Sequence, residues 1–415
     1  MPRRVLVLCA LIIAGEAIFF LPFVLARVFR PTLLDVFGIT NLELGFAFSI
    51  YGIIAMPAYF AGGPFADRFR PRVLLTIALI TTAAGGIFLI PIPTLATLNF
   101  LYAYWGITTI ALFWAALIRA TRDWSHESYP GIAFGLLDGG RGLFAAITGS
   151  AMVAVYAALL PDDVDSASLE QRAQAFRQVI QFMIIIVCVA ALFLWLALPT
   201  KAQSEPMDKK SLTLRHIYTV LRMPAVWLQA FIILCAYVGF KSADDFSLYA
   251  REVIGMNEVD AARAGTVSLW VRPLAAIGAG YLADRVGAGK MTMASFMLLL
   301  LGSLVLASGA INAGMLSFFL ISIVCASLGI FALRGLYYAI MKEGRVPLTF
   351  TGSAVGFVSV IGYMPDVFMG PLMGLLLDRS PGPAGHQNLF WVVAGFAIAG
   401  LIFSWTFHRY TEREK

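Results

Sequence analysis

The chain has 415 residues, 60% of them hydrophobic and 13% charged, with a formal net charge of +6. Soluble domains average about 45–50% apolar and about 25% charged residues, and disordered chains are poorer still in apolar residues. A mean hydropathy of +0.83 therefore sets aside a soluble enzyme, a disordered chain and a secreted disulfide scaffold, and points to a polytopic membrane protein.

A spanning helix needs roughly 20 mostly apolar residues. The sequence offers such runs at about 5–29, 44–64, 73–94, 97–118, 131–159, 176–199, 225–248, 262–284, 289–310, 314–338, 351–377 and 388–408. Barrel strands would be only about 9–11 residues long and alternating, so the runs predict an all-α polytopic protein of twelve transmembrane helices. The first run follows Arg3 and Arg4 and could pass for a signal peptide. It exceeds the apolar core of about 7–15 residues that such a peptide carries, and further spans follow it. It is read as the first helix.

The longest polar stretch, Thr200–Met223, holds Lys201, Lys209, Lys210, Arg215 and Arg222. It divides the chain into an N-terminal six-helix bundle (1–199), a central loop (200–223) and a C-terminal six-helix bundle (224–415). Placing the N-terminus in the cytoplasm puts most of the 30 basic residues on the inner side, as topology requires. Both termini are then expected inside, and the absence of targeting segments is compatible with a bacterial inner membrane. Cys9, Cys188, Cys235 and Cys325 are scattered in apolar runs and read as packing residues. No zinc, phosphate-loop or triad motif is present, so neither a metal nor another cofactor is expected. No basic stripe with interleaved aromatics suggests nucleic acid. The expected partners are the lipid bilayer and a small-molecule substrate, with a proton or counter-anion as coupled species, and the expected state is a monomer.

The two halves repeat. Gly63-Pro-Phe-Ala-Asp67-Arg68 follows the second run, and Gly280-Tyr-Leu-Ala-Asp284-Arg285 follows the eighth. Gly131–Gly135 matches Gly352–Gly356, and Arg119 matches Arg334, in nearly the same register. Parallel repeats of this kind place a substrate site between the halves near the midplane.

Gly63…Asp67-Arg68-Phe-Arg70-Pro-Arg72 resembles the loop 2–3 signature of the major facilitator superfamily, with a weaker copy at Gly280…Asp284-Arg285-Val-Gly287. Arg70 stands where that signature usually has glycine. The stretch from Glu43 to Arg72 is similar to the organophosphate:phosphate antiporter branch. The resemblance implies two rocking bundles around a central site, and a conformational gate at Gly63, Asp67, Arg68, Arg72, Asp284 and Arg285. It also implies that Arg27 lies near a phosphate-binding arginine of the first helix, and Lys241 near one of the seventh. Physically, an Asp and an Arg can pair across a bundle interface and bias one access state. The plainer reading of the same residues is a topology signal in a solvated loop.

Ionisable residues inside spans cost about 2.5–3.5 kcal/mol each at a helix centre and are functional candidates by default. At about 1.5 Å per residue, Glu16 lies near the midplane, as do Asp138 and Arg141, whose i,i+3 spacing lets them share a helix face. Arg272, before the helix-kinking Pro273, lies about 14 Å deep. Lys241 falls in the outer half of its span, where Asp244 or Asp245 could neutralise it, and Arg27 falls at the outer edge. Arg334 lies in the inner half of span 10 and reads as gate or ligand contact. Asp366 follows Pro365 in span 11. Glu16, Asp138 and Asp366 are candidate proton sites or arginine partners. Tyr51, Trp114, Trp270 and Tyr363 are candidate aromatic walls, though each is more often packing.

The deep cations outnumber the firmly deep acids, which favours an organic anion such as a carboxylate or phosphorylated metabolite as cargo of a secondary transporter. Arg141, Arg272, Lys241 and Arg27 would bind it, with Tyr51, Trp270 and Tyr363 around it. The alternatives are a proton-coupled carrier of a neutral solute such as a sugar, with the arginines tuning a carboxylate, and a drug or metabolite exporter. A membrane enzyme lacks a nucleophile constellation, and a duplicated bundle argues against a channel.

Overall fold

In lipid, every backbone N–H and C=O must pair within its own segment, which leaves helices as the solution for long apolar runs. The computed structural model describes residues 2–125, 130–199, 221–337, 340 and 351–413, and every regular element among them is helical. Its spans are α1 (Pro2–Ala17 and Leu25–Val28, joined by the π-helical turn Phe20–Val24), α2 (Asn41–Arg68), α3 (Pro71–Gly86), α4 (Leu95–Gly106, the π-helical Ile107–Trp114 and Ala115–Ser125), α5 (Pro130–Leu159) and α6 (Leu169–Ala197). The second half contributes α7 (Pro224–Ser242, a tight turn Ala243–Asp245 and Phe246–Glu252), α8 (Glu258–Val286), α9 (Ala288–Ala307), α10 (Leu316–Leu336), α11 (Thr351–Gly362 and Pro365–Arg379) and α12 (Pro383–Arg413). Most of the central loop, with Lys201, Lys209, Lys210 and Arg215, lies outside the described residues.

Sequence chemistry explains where these helices start and bend. Thr40 accepts from the Glu43 N–H while Glu43 reaches back to the Thr40 N–H, a capping box that starts α2. Ser168 and Gln171 do the same for α6. The first run, expected as one helix, instead bends by 41° between Ala17 and Phe20. Pro22 sits in the π-helical turn that follows, where it cannot donate a ladder bond. A short helix, Arg30–Phe37, follows and ends at Gly38 with φ +61°, a left-handed cap. The sequence reading did not anticipate it. α11 breaks just before Pro365, but α8 is assigned as unbroken helix through Pro273.

Helices α1–α6 and α7–α12 form the two bundles, and they meet chiefly where α2 packs on α11 and α5 on α8. The α2–α11 contact is backbone to backbone. A Cβ on Gly45 would lie 2.2 Å from the Gly370 carbonyl oxygen, one on Gly52 2.6 Å from the Asp366 carbonyl carbon, and one on Gly374 2.4 Å from the Asn41 carbonyl oxygen. Small residues permit such approach in membranes. At the end away from the termini, the Asn41 and Leu42 N–H groups donate to the Asp378 carboxylate at 3.2 and 2.8 Å, a carboxylate at a helix N-terminus. There too, buried Glu258 of α8 accepts from Tyr156 at 2.8 Å, Thr32 at 3.1 Å and Arg172 at 2.7 Å. Four segments from both halves are thus pinned on one carboxylate. At the other end Arg68, Asp284 and Arg285 are exposed. The molecule is closed at the end opposite its termini.

Candidate functional site

Each charged residue that the sequence places inside a span must find a partner there, because an unpaired ion in low dielectric is expensive. The partners form two clusters along the bundle seam. In the first, Glu16 lies one residue before the end of the first segment of α1 and is only 4% exposed. Its two oxygens accept from two arginines: Oε2 from Arg141 Nε at 3.1 Å and Oε1 from Arg272 Nη1 at 2.9 Å. Arg272 Nη2 also donates to Asp138 Oδ1 at 3.0 Å, which Arg141 approaches only to 3.7 Å. The i,i+3 pair expected on α5 is therefore the weaker contact. Each partner turns to a residue on another helix, and Arg272 ties α8 of the second bundle to α1 and α5 of the first. Two glycines clear the space: a Cβ at Gly142 would come within 2.8 Å of the Arg272 side chain, and one at Gly15 within 3.2 Å of that of Arg141.

The second cluster lies farther from the termini. Arg27 Nε meets Asp244 Oδ1 at 2.5 Å, both groups buried, again joining α1 to the second bundle. Lys241 Nζ meets Asp366 Oδ1 at 2.6 Å, and Tyr237 donates its hydroxyl to the same carboxylate at 3.2 Å. Lys241 is thus held by Asp366; of its sequence neighbours, Asp244 takes Arg27 and Asp245 takes His386. The tight turn Ala243–Asp245 interrupts the helical register beyond Lys241 and carries both Asp residues away from it.

Aromatic rings join the clusters. Phe240 carries Arg27 Cζ at 4.4 Å and Arg334 Cζ at 4.0 Å from its centroid. Lys241 Nζ lies 4.7 Å from the Phe23 centroid, so it reaches the first bundle through a ring. Trp114 lies 5.6 Å from Arg141 Cζ. Tyr363 stacks on Tyr59 across the seam at 5.9 Å and meets Tyr237 at 5.0 Å. Tyr51 is buried, bonded to Thr109 at 2.8 Å and packed on Phe23. Trp270 stands apart: it is 45% exposed and donates to Ser150 at 2.9 Å. Its position two residues from Arg272 turns it onto a different side of α8.

At the end with the termini, the signature residues are dispersed. Arg72 lies over Trp195 at 4.1 Å, and Arg285 donates to the Tyr281 hydroxyl one turn back. Arg119 donates to the Ala66 carbonyl. A Cβ at Gly63 would meet nothing. The side chain of Asp67 lies outside the described residues. Arg334 sits beside Phe240 in the seam, within electrostatic reach of Asp138 and Arg141.

Three groups escaped the sequence reading. His386 is fully buried, with Nδ1 2.8 Å from Asp245 and Nε2 3.1 Å from Glu252. Glu258 read as part of an outer loop, and Phe240 as one apolar residue among many. The proximity of Asp245 to an interrupted helix was the only local hint for His386.

Two six-helix bundles with charged groups buried along their seam, sealed at one end, define the class: a membrane transporter. The profile of the Major Facilitator Superfamily matches residues 6–363, and the chain belongs to that superfamily. It is 27% identical to the inner membrane protein YqcE of Escherichia coli K12, over 98% of this chain and 94% of that one. It is 24% identical to the inner membrane protein YihN of the same organism, over 95% and 93%. In fold it is similar to a bacterial homologue of the lysosomal transporter Spinster in an inward-facing, unoccupied conformation, with a TM-score of 0.73, 16% identity and coverage of 100% and 99%. It is also similar to the Escherichia coli fucose:proton symporter, with a TM-score of 0.63, 19% identity and 97% coverage of both chains.

Proposed function

We propose that this transporter carries a small organic anion, a carboxylate or phosphorylated metabolite, by alternating access. The halves 1–199 and 224–415 rock about the seam, 200–223 links them, and both termini face the cytoplasm of a bacterial inner membrane. One observation carries the reading: the buried ion pairs of Arg272 with Glu16 and Asp138, and of Arg27 with Asp244, cross the seam. If the bundles part there, each arginine loses its carboxylate, and stranding a buried charge costs about 3–5 kcal/mol. An anionic solute replaces the lost carboxylate, because a guanidinium matches two oxygens in one plane. The cargo then lowers the barrier between states through its differential contacts with them. The similarity of residues 43–72 to the organophosphate:phosphate antiporter branch agrees with an anionic cargo.

The second reading, proton-coupled transport of a neutral solute, draws on the fucose:proton symporter among the similar structures. It requires Glu16, Asp138 or Asp366 to take a proton, yet each already lies 2.6–3.1 Å from a cation. Proteoliposomes holding the full chain separate the readings. Uptake of labelled organic anions should be stimulated by unlabelled anion inside and should survive collapse of the pH gradient. Uptake of a sugar that stops when the gradient collapses would replace this reading with the second.

A further inference from the structure

The seam holds five deep cations: Arg27, Arg141, Lys241, Arg272 and Arg334. Each of the first four is buried and has a carboxylate within 3.1 Å. Arg334 differs on both counts. Among the described residues it has no ion pair or hydrogen bond, and it is partly exposed. Its position excludes the lipid face, since a residue of α10 within electrostatic reach of Asp138 and Arg141 on α5 looks across the seam. Its guanidinium lies over the Phe240 ring, at 4.0 Å from the centroid. A ring contact of that kind uses the π face and leaves the N–H edge of the guanidinium free. The same ring bears Arg27, already neutralised by Asp244. Among the described residues, four carboxylates, Glu16, Asp138, Asp244 and Asp366, face these five seam cations, so the unmatched charge there coincides with the partly exposed guanidinium of Arg334; Arg30, buried at the closed end without a carboxylate, is instead bonded to Asn41.

We infer that Arg334 is the residue that grips the oxyanion group of the substrate, and that the substrate carries a single negative charge, as a small monocarboxylate does. The inference rests on the organic-anion reading and sharpens it. A monoanion matches the unpaired Arg334 and leaves the cluster neutral. A dianion leaves a surplus charge in low dielectric, which disfavours it. A neutral analogue leaves Arg334 unmatched. Phe240, fixed between Arg27 and Arg334, sets the plane in which the two oxygens meet the N–H edge.

Thermal unfolding of the purified full chain in detergent, with and without ligand, tests this, since a ligand that binds only the folded state raises apparent stability. The probes are lactate, benzoate and gluconate as monocarboxylates, glucarate as dicarboxylate and glucose as neutral compound. At least one monocarboxylate should stabilise the unmodified chain, with glucarate and glucose weaker. Arg334→Gln should weaken that binding by roughly tenfold or more, the loss expected for a charge-assisted contact, and Arg334→Lys should restore part of it. Without ligand, Arg334→Gln should unfold no earlier than the unmodified chain, because no protein carboxylate is left stranded. Stabilisation by glucose alone overturns the anion reading together with this inference, and stabilisation by none of the carboxylates overturns the monocarboxylate assignment. Binding that survives Arg334→Gln, or early unfolding of ligand-free Arg334→Gln, overturns the assignment of Arg334 alone. Tighter binding of glucarate overturns the single charge.

Discussion

The Glu16 cluster and the Lys241–Asp366 pair use the same chemistry in different mechanical settings. Around Glu16, a carboxylate of the first bundle holds an arginine of the second, so the pair spans surfaces that separate in the proposed cycle. Around Asp366, lysine, tyrosine and carboxylate all belong to the second bundle and move as one body. In the proposed cycle an ion pair on the seam opens and closes, whereas one inside a bundle supports the wall beside it.

The largest break in this comparison comes at Arg272. Arg272→Gln strands Glu16 and Asp138 with Arg141 as their remaining partner. It should cost about 3 kcal/mol, the low end for a broken buried pair, read by unfolding in detergent, and should abolish anion exchange in proteoliposomes. Anion exchange that survives Arg272→Gln would erase the distinction between the two settings. Next comes the seal at the far end. Glu258→Gln removes the charge that holds Arg172 and should move the ratio of open to closed molecules by about tenfold, equivalent to about 1.4 kcal/mol. Distances between spin labels placed on the two bundles at that end would report it; an unchanged distance distribution means Glu258 is no latch. The smallest expected effect is that of Asp366→Asn on the same distances. The ion pair it breaks lies within one bundle, so the distribution should stay as it was, and a shift would show that this pair too sets the closed state.

Much of the architecture is legible in the sequence, because lipid admits few solutions. Run length gives the spans, the repeated Gly-X-X-Ala-Asp-Arg motif gives the duplication, and cost singles out Glu16, Asp138, Arg141, Arg272, Lys241 and Asp366. Partner choice is not legible. Lys241 lies three residues from Asp244, yet the turn at Ala243–Asp245 sends that carboxylate to Arg27. Sequence distance ranks neighbours along a helix, but rotation about its axis decides which of them face each other. Trp270 illustrates the same limit: two positions from Arg272, it points elsewhere and bonds Ser150. Arg334, in the inner half of span 10, reads equally as gate or ligand contact. That it has no ion pair among the described residues becomes apparent only when the other seam charges have been paired in space.

The glycine contact between α2 and α11 has a consequence for motion. Interdigitated side chains lock two helices in register, and leaving that register requires rotamers to change. Where Gly45 meets Gly370 and Asn41 meets Gly374, backbone rests on backbone, so this stretch is a smooth bearing, with Tyr59 stacked on Tyr363 farther along. In the proposed cycle the two backbones would roll apart and return with little side-chain repacking at those glycines. The strength of the closed state then resides in a few polar fasteners, such as Asp378 at the α2 N-terminus and Glu258 on α8, which can be released one at a time.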